Sequence, residues 1–349
     1  MTDDDTTITG TTTSTTGTAT TAPTRSLGRS GIEVSALGIG CWAIGGPWTM
    51  GGSQAGWGEV DDDESVRALH AAMAAGVTFF DTAANYGAGH SERVLGRAVA
   101  GRRDDVVLAT KFGYGVDEAS RSVEGLAVTP DAVRTACEDS LRRLGTDRLD
   151  LFQLHVGDLD PVRADDVRAV LEDLVGRGLV RAYGWSTDDV ERARRFAAGP
   201  HCATVQHQLN VVEDNPGMLA LCEAEDLASI NRGPLGMGLL TGAYDGGARF
   251  PATDLRARGA DWMSYFVDGR PNPRLLARIG AVRDVLTAGG RTLAQGALGW
   301  IWGRSPVTVP IPGVRTVAQA EANAGALRFG PLAPAEMAEV DRLLAGAPG

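Results

Sequence analysis

Val106-Val-Leu-Ala-Thr-Lys111 is a short apolar run that ends in the only lysine of the chain. Such a run is typical of a strand buried inside an α/β protein. The chain has 33 lysine and arginine residues together, so all but this one are arginines. An ammonium group is compact and its pKa can be shifted, whereas a guanidinium is wider and keeps its charge. A lysine kept at a strand end is therefore a candidate for chemistry, although chance survival of one lysine in an arginine-rich chain would explain it equally well.

Seven further runs of this kind alternate with amphipathic helical patterns along the chain. The eight candidate strands span residues 37–42, 77–83, 106–111, 149–155, 181–185, 204–209, 227–231 and 307–311. Capping residues mark helix starts between them, such as Thr129 followed by Pro130. Strand–helix alternation implies parallel strands joined by right-handed crossovers. The pattern predicts a closed (β/α)8 TIM barrel of the α/β class, with an open doubly wound sheet as the alternative.

Five segments fall outside the eight strand–helix units. Residues 26–35 predict a β-hairpin ahead of the barrel, and residues 273–289 and 334–345 predict two extra helices on its outside. Segments 44–60 and 241–272 are too long for ordinary connections and are rich in glycine and aromatic residues. Long loops of this kind usually cover a site.

The first 24 residues differ from the rest of the chain, because 13 of them are threonine and apolar residues are almost absent. Such a tract cannot bury enough surface to offset its ordering entropy. We expect residues 1–24 to form a disordered tail and residues 25–349 to form one barrel domain. The tail lacks the basic start and the apolar stretch of a secretory signal, so we expect a cytoplasmic protein.

The overall composition excludes several classes of function. A net charge of −11 and a pI near 5.0 argue against nucleic acid as a partner. No apolar segment reaches the length of a membrane span. The four cysteines are widely spaced with no histidine cluster beside them, so we expect neither disulfides nor a metal site. The sequence does not indicate an oligomeric state.

Gly38-Ile-Gly-Cys-Trp-Ala43 matches the GxGxxA fingerprint of Rossmann folds and follows a candidate strand. That fingerprint has meaning only where a helix follows at once and points its N-terminus at a pyrophosphate. Here Ile44-Gly-Gly-Pro-Trp-Thr-Met-Gly-Gly52 follows, and this glycine-rich stretch cannot open a helix. We therefore expect no dinucleotide-binding turn at residues 38–43.

Four polar residues fall at or just beyond the ends of successive candidate strands: Asp81, Tyr86, Lys111 and His155. In a barrel these ends converge on one mouth. A free phenol titrates near 10, which is high for an acid at neutral pH, and an adjacent ammonium is expected to lower that pKa. Asp81 would keep Lys111 charged and oriented. The alternative is a salt bridge that caps the barrel mouth beside a structural histidine.

Three motifs resemble those of the aldo-keto reductases, and the resemblance extends from residue 25 to residue 349. They are the stretch 25–38, the sequence Asp81-Thr-Ala-Ala-Asn-Tyr86-Gly, and the strand ends Thr110-Lys111 and Gln153-Leu-His155. The resemblance implies NADPH bound in extended form across the barrel mouth. It also implies that Tyr86 is the general acid, that Lys111 and Asp81 tune it, and that His155 donates a hydrogen bond to the carbonyl. The stretch 25–38 would close the bottom of the barrel.

The resemblance also implies a set of cofactor contacts: Trp42, Ser186, Gln206, Arg232, Pro234, Leu235, Gly236, Gly238, Gly313, Arg315, Gln319 and Asn323. Ser186 and Gln206 would hold the nicotinamide carboxamide, and the glycine loop after Arg232 would bind the pyrophosphate. Gln319 and Asn323 would contact the adenine.

Four positions depart from residues found in other members of the family. Gln319 and Ala322 stand where some members have arginine and glutamate. Thr187 stands where asparagine is common, and Arg232 stands where many members have an aromatic residue. An arginine plane can also stack on the nicotinamide ring. The alternative is that Arg232 forms a salt bridge in the loop.

Arg315 lies in a turn between the last strand and a helix start, an arrangement that binds anions. We therefore expect Arg315 to contact the 2′-phosphate of NADPH. Two other histidines are given no catalytic role. His90 stands at a helix start, and His207 should point to the face opposite Gln206 because neighbouring strand residues alternate.

The sequence thus predicts an NADPH-dependent reductase of a small aldehyde or ketone, with keto-sugars among the candidates. Trp48, Trp57 and Tyr114 would line the substrate pocket. A nicotinamide-sensing regulatory subunit of the channel-subunit type is the alternative from another class. A Schiff-base aldolase that uses Lys111 is a third hypothesis.

Overall fold

The structure is a computed structural model that describes residues 22–257 and 263–347. Most of the predicted threonine-rich tail, residues 1–21, lies outside the described residues, as does part of the predicted loop 241–272. Thr24, which we assigned to the tail, begins the first strand.

The strands are short, and four of the eight barrel strands are shorter than the apolar runs that predicted them. They are β1 (Thr24–Ser26), β2 (Glu33–Ser35), β3 (Gly38–Gly40), β4 (Thr49–Met50), β5 (Ser53–Gln54), β6 (Phe79–Asp81), β7 (Val107–Phe112), β8 (Tyr114–Asp117), β9 (Ser122–Leu126), β10 (Leu149–Leu154), β11 (Val180–Ser186), β12 (Cys202–Gln208), β13 (Ala228–Arg232), β14 (Phe266–Val267), β15 (Arg270–Pro271) and β16 (Thr308–Pro310).

The helices alternate with the longer strands. They are α1 (Asp62–Ala74), α2 (His90–Val99), α3 (Pro130–Leu144), α4 (Pro161–Gly176), α5 (Val190–Phe196), α6 (Pro216–Ala224), α7 (Pro273–Thr287), α8 (Leu293–Arg304), α9 (Val317–Ala324) and α10 (Pro334–Gly346). Capping side chains determine where several of these helices begin. The Asp61 carboxylate accepts from the backbone N–H groups of residues 63 and 64, and the Thr129 hydroxyl oxygen accepts from that of residue 132.

Eight strands pair in parallel in the order β3-β6-β7-β10-β11-β12-β13-β16, so neighbours in the sheet follow one another along the chain. The two edge strands meet, because a parallel bridge joins Gly40 to Gly313 and the Gly40 N–H donates to the Pro312 carbonyl at 3.0 Å. The predicted (β/α)8 barrel is confirmed, and the open doubly wound alternative is wrong.

Gly40 is required at this seam because the two backbones approach closely. A Cβ atom at position 40 would lie 2.8 Å from the Ile311 carbonyl oxygen. The glycine pattern that resembles a Rossmann fingerprint therefore serves barrel closure, and the segment that follows is a short 3-10 helix, Ala43–Gly45, rather than an α-helix.

The barrel has a core on each side of its wall. Inside, alternating strand residues such as Phe79, Leu151 and Ile230 form one cluster with Leu27 and Val34 of the hairpin β1–β2. The hairpin therefore closes the bottom of the barrel, as the resemblance implied. Outside, a larger cluster joins the strands to the surrounding helices. The extra helices α7 and α10 pack on the outside against each other and against α8, as predicted.

A small sheet beside the barrel mouth was not predicted. It has the order β5-β4-β9-β8, and it combines part of the loop 44–60 with a hairpin after β7. The hairpin gives little apolar periodicity, because β8 is only partly buried and β9 ends on exposed residues. Within the described residues, no helix is long and apolar enough to span a membrane.

Candidate active site

The four predicted polar residues come together at the barrel mouth. Asp81 ends β6, Lys111 is the next-to-last residue of β7, and His155 directly follows β10. Tyr86 lies in the loop between β6 and α2. Because these strands are parallel neighbours, their carboxyl ends lie side by side.

Lys111 is fully buried and each of its three N–H donors has an acceptor. Its Nζ pairs with Asp81 Oδ1 and donates to the Thr82 carbonyl at 2.9 Å and to the Tyr86 hydroxyl oxygen at 3.1 Å. An arginine could not fill this arrangement, because its planar fork is wider than an ammonium. The surviving lysine is therefore explained by its surroundings.

The second oxygen of Asp81 is also engaged. Asp81 Oδ2 accepts from Gln153 Nε2 at 3.0 Å and from Gln206 Nε2 at 2.9 Å. The Gln206 amide nitrogen is thus committed to the carboxylate, and only its Oε1 is left for a carboxamide. Gln153 was given no role from the sequence, yet it stands two residues before His155, a spacing that places both side chains on one face of the strand.

Burial and charge act in opposite directions on the pKa values of Lys111 and Tyr86. Burial lowers the pKa of Lys111, but Asp81 and Tyr86 together raise it by more, so the pKa of the ammonium lies above its ordinary value. Burial raises the pKa of Tyr86, and the nearby Lys111 charge offsets only part of that rise. The ammonium therefore lowers the pKa of Tyr86 as expected, but desolvation has the larger effect and the net shift is upward.

His155 is held neutral. Burial, and then the charges of Lys111 and Arg232, keep the pKa of His155 well below its ordinary value. Its Nδ1 lies 3.0 Å from Asn85 Oδ1, and its ring packs edge-on against Tyr86 with 5.7 Å between ring centres. Asn85 was missed from the sequence, since a loop residue beside Tyr86 has no periodicity that would indicate its direction.

Aromatic rings surround the phenol. Trp42 stacks on Tyr86 with ring centres 5.9 Å apart and planes inclined by 22°, and Trp57 stands edge-on to Trp42 at 5.3 Å. Tyr114 lies 6.2 Å from the His155 ring. Trp48 is buried in a small cluster to which both Trp42 and Tyr86 contribute. The predicted pocket residues therefore do lie around the barrel mouth.

The neighbouring strand ends carry the predicted nicotinamide contacts. Ser186 ends β11 and pairs in register with Gln206 of β12. The Thr187 hydroxyl donates to the Gly157 carbonyl at 2.7 Å. Its proton is therefore not available for the contact that an asparagine at this position would make with the carboxamide. Arg232 pairs with Asp188 and donates to Gln208 Oε1 at 2.7 Å. These contacts hold its guanidinium beside the mouth.

The loop after Arg232 turns sharply through left-handed backbone conformations. Gly236 and Gly238 have φ values of 54° and 102°, and Met237 between them has 52°. Glycine adopts such angles without steric cost. Pro234 and Leu235 in the same loop are buried. A tight glycine loop at a barrel mouth leaves backbone N–H groups open to the close approach of an anion.

The predicted contacts Arg315 and Gln319 lie at the start of α9. A cleft of about 350 Å³ there is lined by Val60, Asp61, Glu64, Arg315, Thr316 and Gln319. Arg315 donates to the carbonyl of Trp57 at 3.1 Å and to that of Glu59, while the Gln319 Oε1 accepts from the Arg315 N–H at 2.8 Å. The cation therefore ties the loop 44–60 to the start of α9.

The same cleft holds a carboxylate that sequence reasoning missed. Glu64 Oε1 accepts from the Val317 N–H at 2.9 Å, so an acidic side chain of α1 caps α9. Asn323, one of the predicted adenine contacts, is buried and donates to the Gly313 carbonyl at 3.4 Å. Contacts between sequence-distant helices of this kind give no local signal in the sequence.

A family model described as "Aldo/keto reductase family" matches residues 36–345. The chain belongs to the aldo-keto reductase family. The aldo-keto reductase YhdN of Bacillus subtilis is 32% identical over 308 residues, which cover 85% of this chain and 86% of that protein.

Solved aldo-keto reductases have the same fold. The glycerol dehydrogenase AKR11B4 from Gluconobacter oxydans superposes with a TM-score of 0.77 at 31% identity, covering 92% of this chain and 95% of that one. An aldo-keto reductase from Klebsiella pneumoniae in complex with NADPH gives a TM-score of 0.66 at 27% identity, covering 92% and 94%. Within the described residues of this aldo-keto reductase, no group of three or more histidine, cysteine, aspartate or glutamate side chains could hold a metal ion.

Proposed function

We propose that this aldo-keto reductase reduces an aldehyde or ketone to the alcohol with NADPH, and that Tyr86 is the general acid. The observation that carries the proposal is the contact between the Tyr86 hydroxyl oxygen and Lys111 Nζ at 3.1 Å, beside the buried ion pair of Lys111 and Asp81. A phenol that loses a proton in a buried site needs a nearby positive charge, and Lys111 supplies it.

Proton transfer would run through Tyr86. When bound, NADPH supplies a hydride to the carbonyl carbon. The electron pair of the carbonyl π bond moves to the oxygen, which takes the proton of the Tyr86 hydroxyl, and the alcohol forms. Lys111 stabilises the phenolate that remains until solvent returns the proton. The raised pKa of Tyr86 keeps the phenol protonated before each turnover, and the Lys111 charge lowers the cost of its ionisation.

The residues at the mouth fit an extended nicotinamide dinucleotide. Ser186 and the free Oε1 of Gln206 lie beside the proton-transfer residues, where they would hold the carboxamide. The glycine loop 233–238 would hold the pyrophosphate. Arg315 would take the 2′-phosphate, and Gln319 and Asn323 the adenine. The NADPH complex of the Klebsiella pneumoniae relative supports the choice of cofactor. We also propose that the enzyme acts in the cytoplasm.

The substrate is proposed to be a small carbonyl compound held between Trp48, Trp57 and Tyr114. Aromatic walls of this kind suit aldehydes, ketones and the faces of sugars. The likeness to a glycerol dehydrogenase supports a hydroxylated substrate, including keto-sugars.

Neither alternative function is favoured. The relatives named above give no support to the regulatory-subunit alternative. A protein that only senses the cofactor also has no need of a complete set of proton-transfer residues. A Schiff-base aldolase needs a neutral amine. The Lys111 ammonium has three acceptors and a raised pKa, so it is a poor nucleophile.

A panel of aldehydes, ketones and keto-sugars with NADPH and with NADH, followed at the nicotinamide absorbance, tests the proposal. We expect turnover of at least one carbonyl with NADPH. Tight NADPH binding, measured by tryptophan fluorescence, without turnover of any compound would favour the sensing role instead. Covalent trapping of substrate on Lys111 by borohydride would favour the aldolase.

A further inference from the structure

Arg256, in the loop 241–272, is a buried cation enclosed by aromatic rings. Its side chain is only 8% exposed. A guanidinium within about 6 Å of a ring centre is attracted by the negative face of the ring. Four rings lie within that distance of the Arg256 guanidinium carbon: Phe250 at 4.2 Å, Trp57 at 5.0 Å, Tyr244 at 5.2 Å and Phe266 at 5.9 Å.

The guanidinium plane of Arg256 is fixed by polar contacts. Asp254, itself 5% exposed, accepts from Arg256 Nη2 at 2.7 Å and from Nε at 3.0 Å. The remaining nitrogen, Nη1, donates to the Tyr244 hydroxyl at 3.0 Å and to the Met237 carbonyl at 3.4 Å. A two-pronged pair with a carboxylate fixes direction as well as position. Because desolvation offsets much of the attraction within a buried ion pair, stability alone does not account for this one.

Trp57 connects this cation to the barrel mouth. Trp57 stands edge-on to Trp42 with ring centres 5.3 Å apart, and Trp42 stacks on the proposed acid Tyr86 at 5.9 Å. The backbones meet as well, since an antiparallel bridge joins Trp57 to Asp254. The ion pair therefore lies directly behind one wall of the proposed substrate pocket.

The Trp57 ring is not oriented by a hydrogen bond. Its indole N–H is buried and has no hydrogen-bond partner within the described residues. A buried indole usually finds such a partner, which then sets the angle of the ring. For Trp57 the angle depends instead on packing, with the Trp42 ring on one side and the Arg256 guanidinium over its face.

We propose that Arg256 is a positioning residue that holds the Trp57 ring as a wall of the substrate pocket and so sets the size of carbonyl compound that the pocket accepts. This inference rests on the proposed carbonyl reduction and deepens it. Without the guanidinium the Trp57 ring could turn, while the contact between Tyr86 and Lys111 would be kept. Substrate binding should therefore change far more than the chemical step.

Arg256→Met removes the charge and keeps an unbranched side chain. For the smallest carbonyl compound that the wild-type enzyme reduces, we expect KM to rise about 2- to 30-fold, the range that corresponds to one cation–π contact. The kcat should stay nearly constant. The KM of the largest compound should rise less, because a ring that can turn leaves more room. Arg256→Lys keeps a cation and should restore part of the loss. An equal rise for small and large compounds would overturn the effect on size.

A double-mutant cycle separates positioning of Trp57 from a general loosening of the loops. If Arg256 acts through Trp57, then Arg256→Met should change KM much less in a Trp57→Ala protein than in the wild-type protein, because residues that act on each other are not additive. If Arg256 only stabilises the loops, the two changes should add. Equal effects of Arg256→Met in both backgrounds would overturn the positioning role.

The contact can also be measured without turnover, by NMR of the indole N–H groups. The chain has seven tryptophans, and the Trp57 signal is assigned by its loss in Trp57→Ala. We expect this signal to shift or broaden in Arg256→Met. Trp185 is an internal control, because its indole N–H donates to the Val156 carbonyl at 2.9 Å and should keep its signal.

An unchanged Trp57 signal in a folded Arg256→Met protein would show that Arg256 does not hold the ring. Failure of every carbonyl compound would overturn the proposed reduction, and the effect on substrate size with it. The NMR comparison would still decide whether Arg256 positions Trp57.

Discussion

The two ends of the proposed cofactor groove are built in different ways. At the nicotinamide end, Lys111 is fully buried and its three partners come from the end of strand β6 and the loop that directly follows it. At the adenosine end, Arg315 is partly exposed and donates to carbonyl groups of the loop 44–60. Strand register determines the contacts of Lys111, whereas the contacts of Arg315 depend on the path of the long loop 44–60.

The charges of Lys111 and Arg315 should therefore differ in how strongly they interact with their neighbours. A charge in a buried site interacts with its neighbours through a low effective dielectric, while an exposed charge is screened by water and salt. Changes at the nicotinamide end should alter the rate of the chemical step strongly, and changes at the adenosine end should alter cofactor binding moderately. Four predictions test this difference, in order of decreasing effect.

Tyr86→Phe should lower kcat by about 10²- to 10⁴-fold, the usual loss when a general acid is removed. The ring and its stacking on Trp42 are kept, so the dissociation constant of NADPH should barely change. Steady-state kinetics and tryptophan fluorescence titration measure the two quantities. Near-normal turnover would remove Tyr86 from the mechanism.

Lys111→Met should lower kcat by about 10- to 10³-fold, the range that corresponds to a pKa change of one to three units. The sign follows from the Lys111 charge, which lowers the pKa of Tyr86 against the effect of burial. Its removal raises that pKa further, so the alkaline limb of the pH–rate profile should move to higher pH. Lys111→Arg is the matched control that keeps the charge. It should not restore the rate, because three acceptors fitted to an ammonium cannot take the wider fork. Full activity in that variant would show that only charge matters.

Arg315→Ala should weaken NADPH binding by about 10- to 150-fold, the worth of a charge-assisted contact. NADH lacks the 2′-phosphate, so its dissociation constant should stay almost constant. Fluorescence titration of both cofactors with both proteins measures the effect. Equal losses for NADPH and NADH would show that Arg315 acts only by holding the loop carbonyls of Trp57 and Glu59.

Glu64→Gln should tighten NADPH binding by about two- to fivefold, the size expected for one charge at a helix N-terminus. The glutamine keeps an acceptor for the Val317 N–H but removes the negative charge from the cleft. Asp63→Asn is the matched control, because Asp63 is exposed and pairs with Arg97 rather than lining the cleft. Binding that weakens equally for NADPH and NADH would indicate a purely structural cap.

The sequence predicted the parts of the molecule that depend on strand register. Period-two alternation and capped helices were enough to place Asp81 and Lys111 on adjacent strand ends, and the same rule would have added Gln153. The sequence did not indicate the partners that come from loops and distant helices. The contact of Asn85 with His155 and the contacts of Arg315 with the Trp57 and Glu59 carbonyls depend on loop paths that leave no periodic pattern. The contact of Glu64 with the start of α9 depends on how two distant helices pack.

The sign of the Tyr86 pKa shift was also beyond sequence reasoning. The sequence gives the identity of the neighbouring charge but not the depth of burial, and burial proved to be the larger of the two effects. The sequence therefore predicted which residues lie beside Tyr86, whereas the direction of its pKa shift required the three-dimensional structure.

The burial of Lys111 has a practical consequence for labelling chemistry. The chain has one ε-amino group, and in the folded protein no part of it is exposed. Succinimidyl esters and other amine reagents should therefore modify the native protein only at its α-amino group. A second adduct, detected by mass spectrometry, would form only when the barrel interior opens around Lys111. The rate of that second reaction would report the opening of the catalytic centre without any engineered probe.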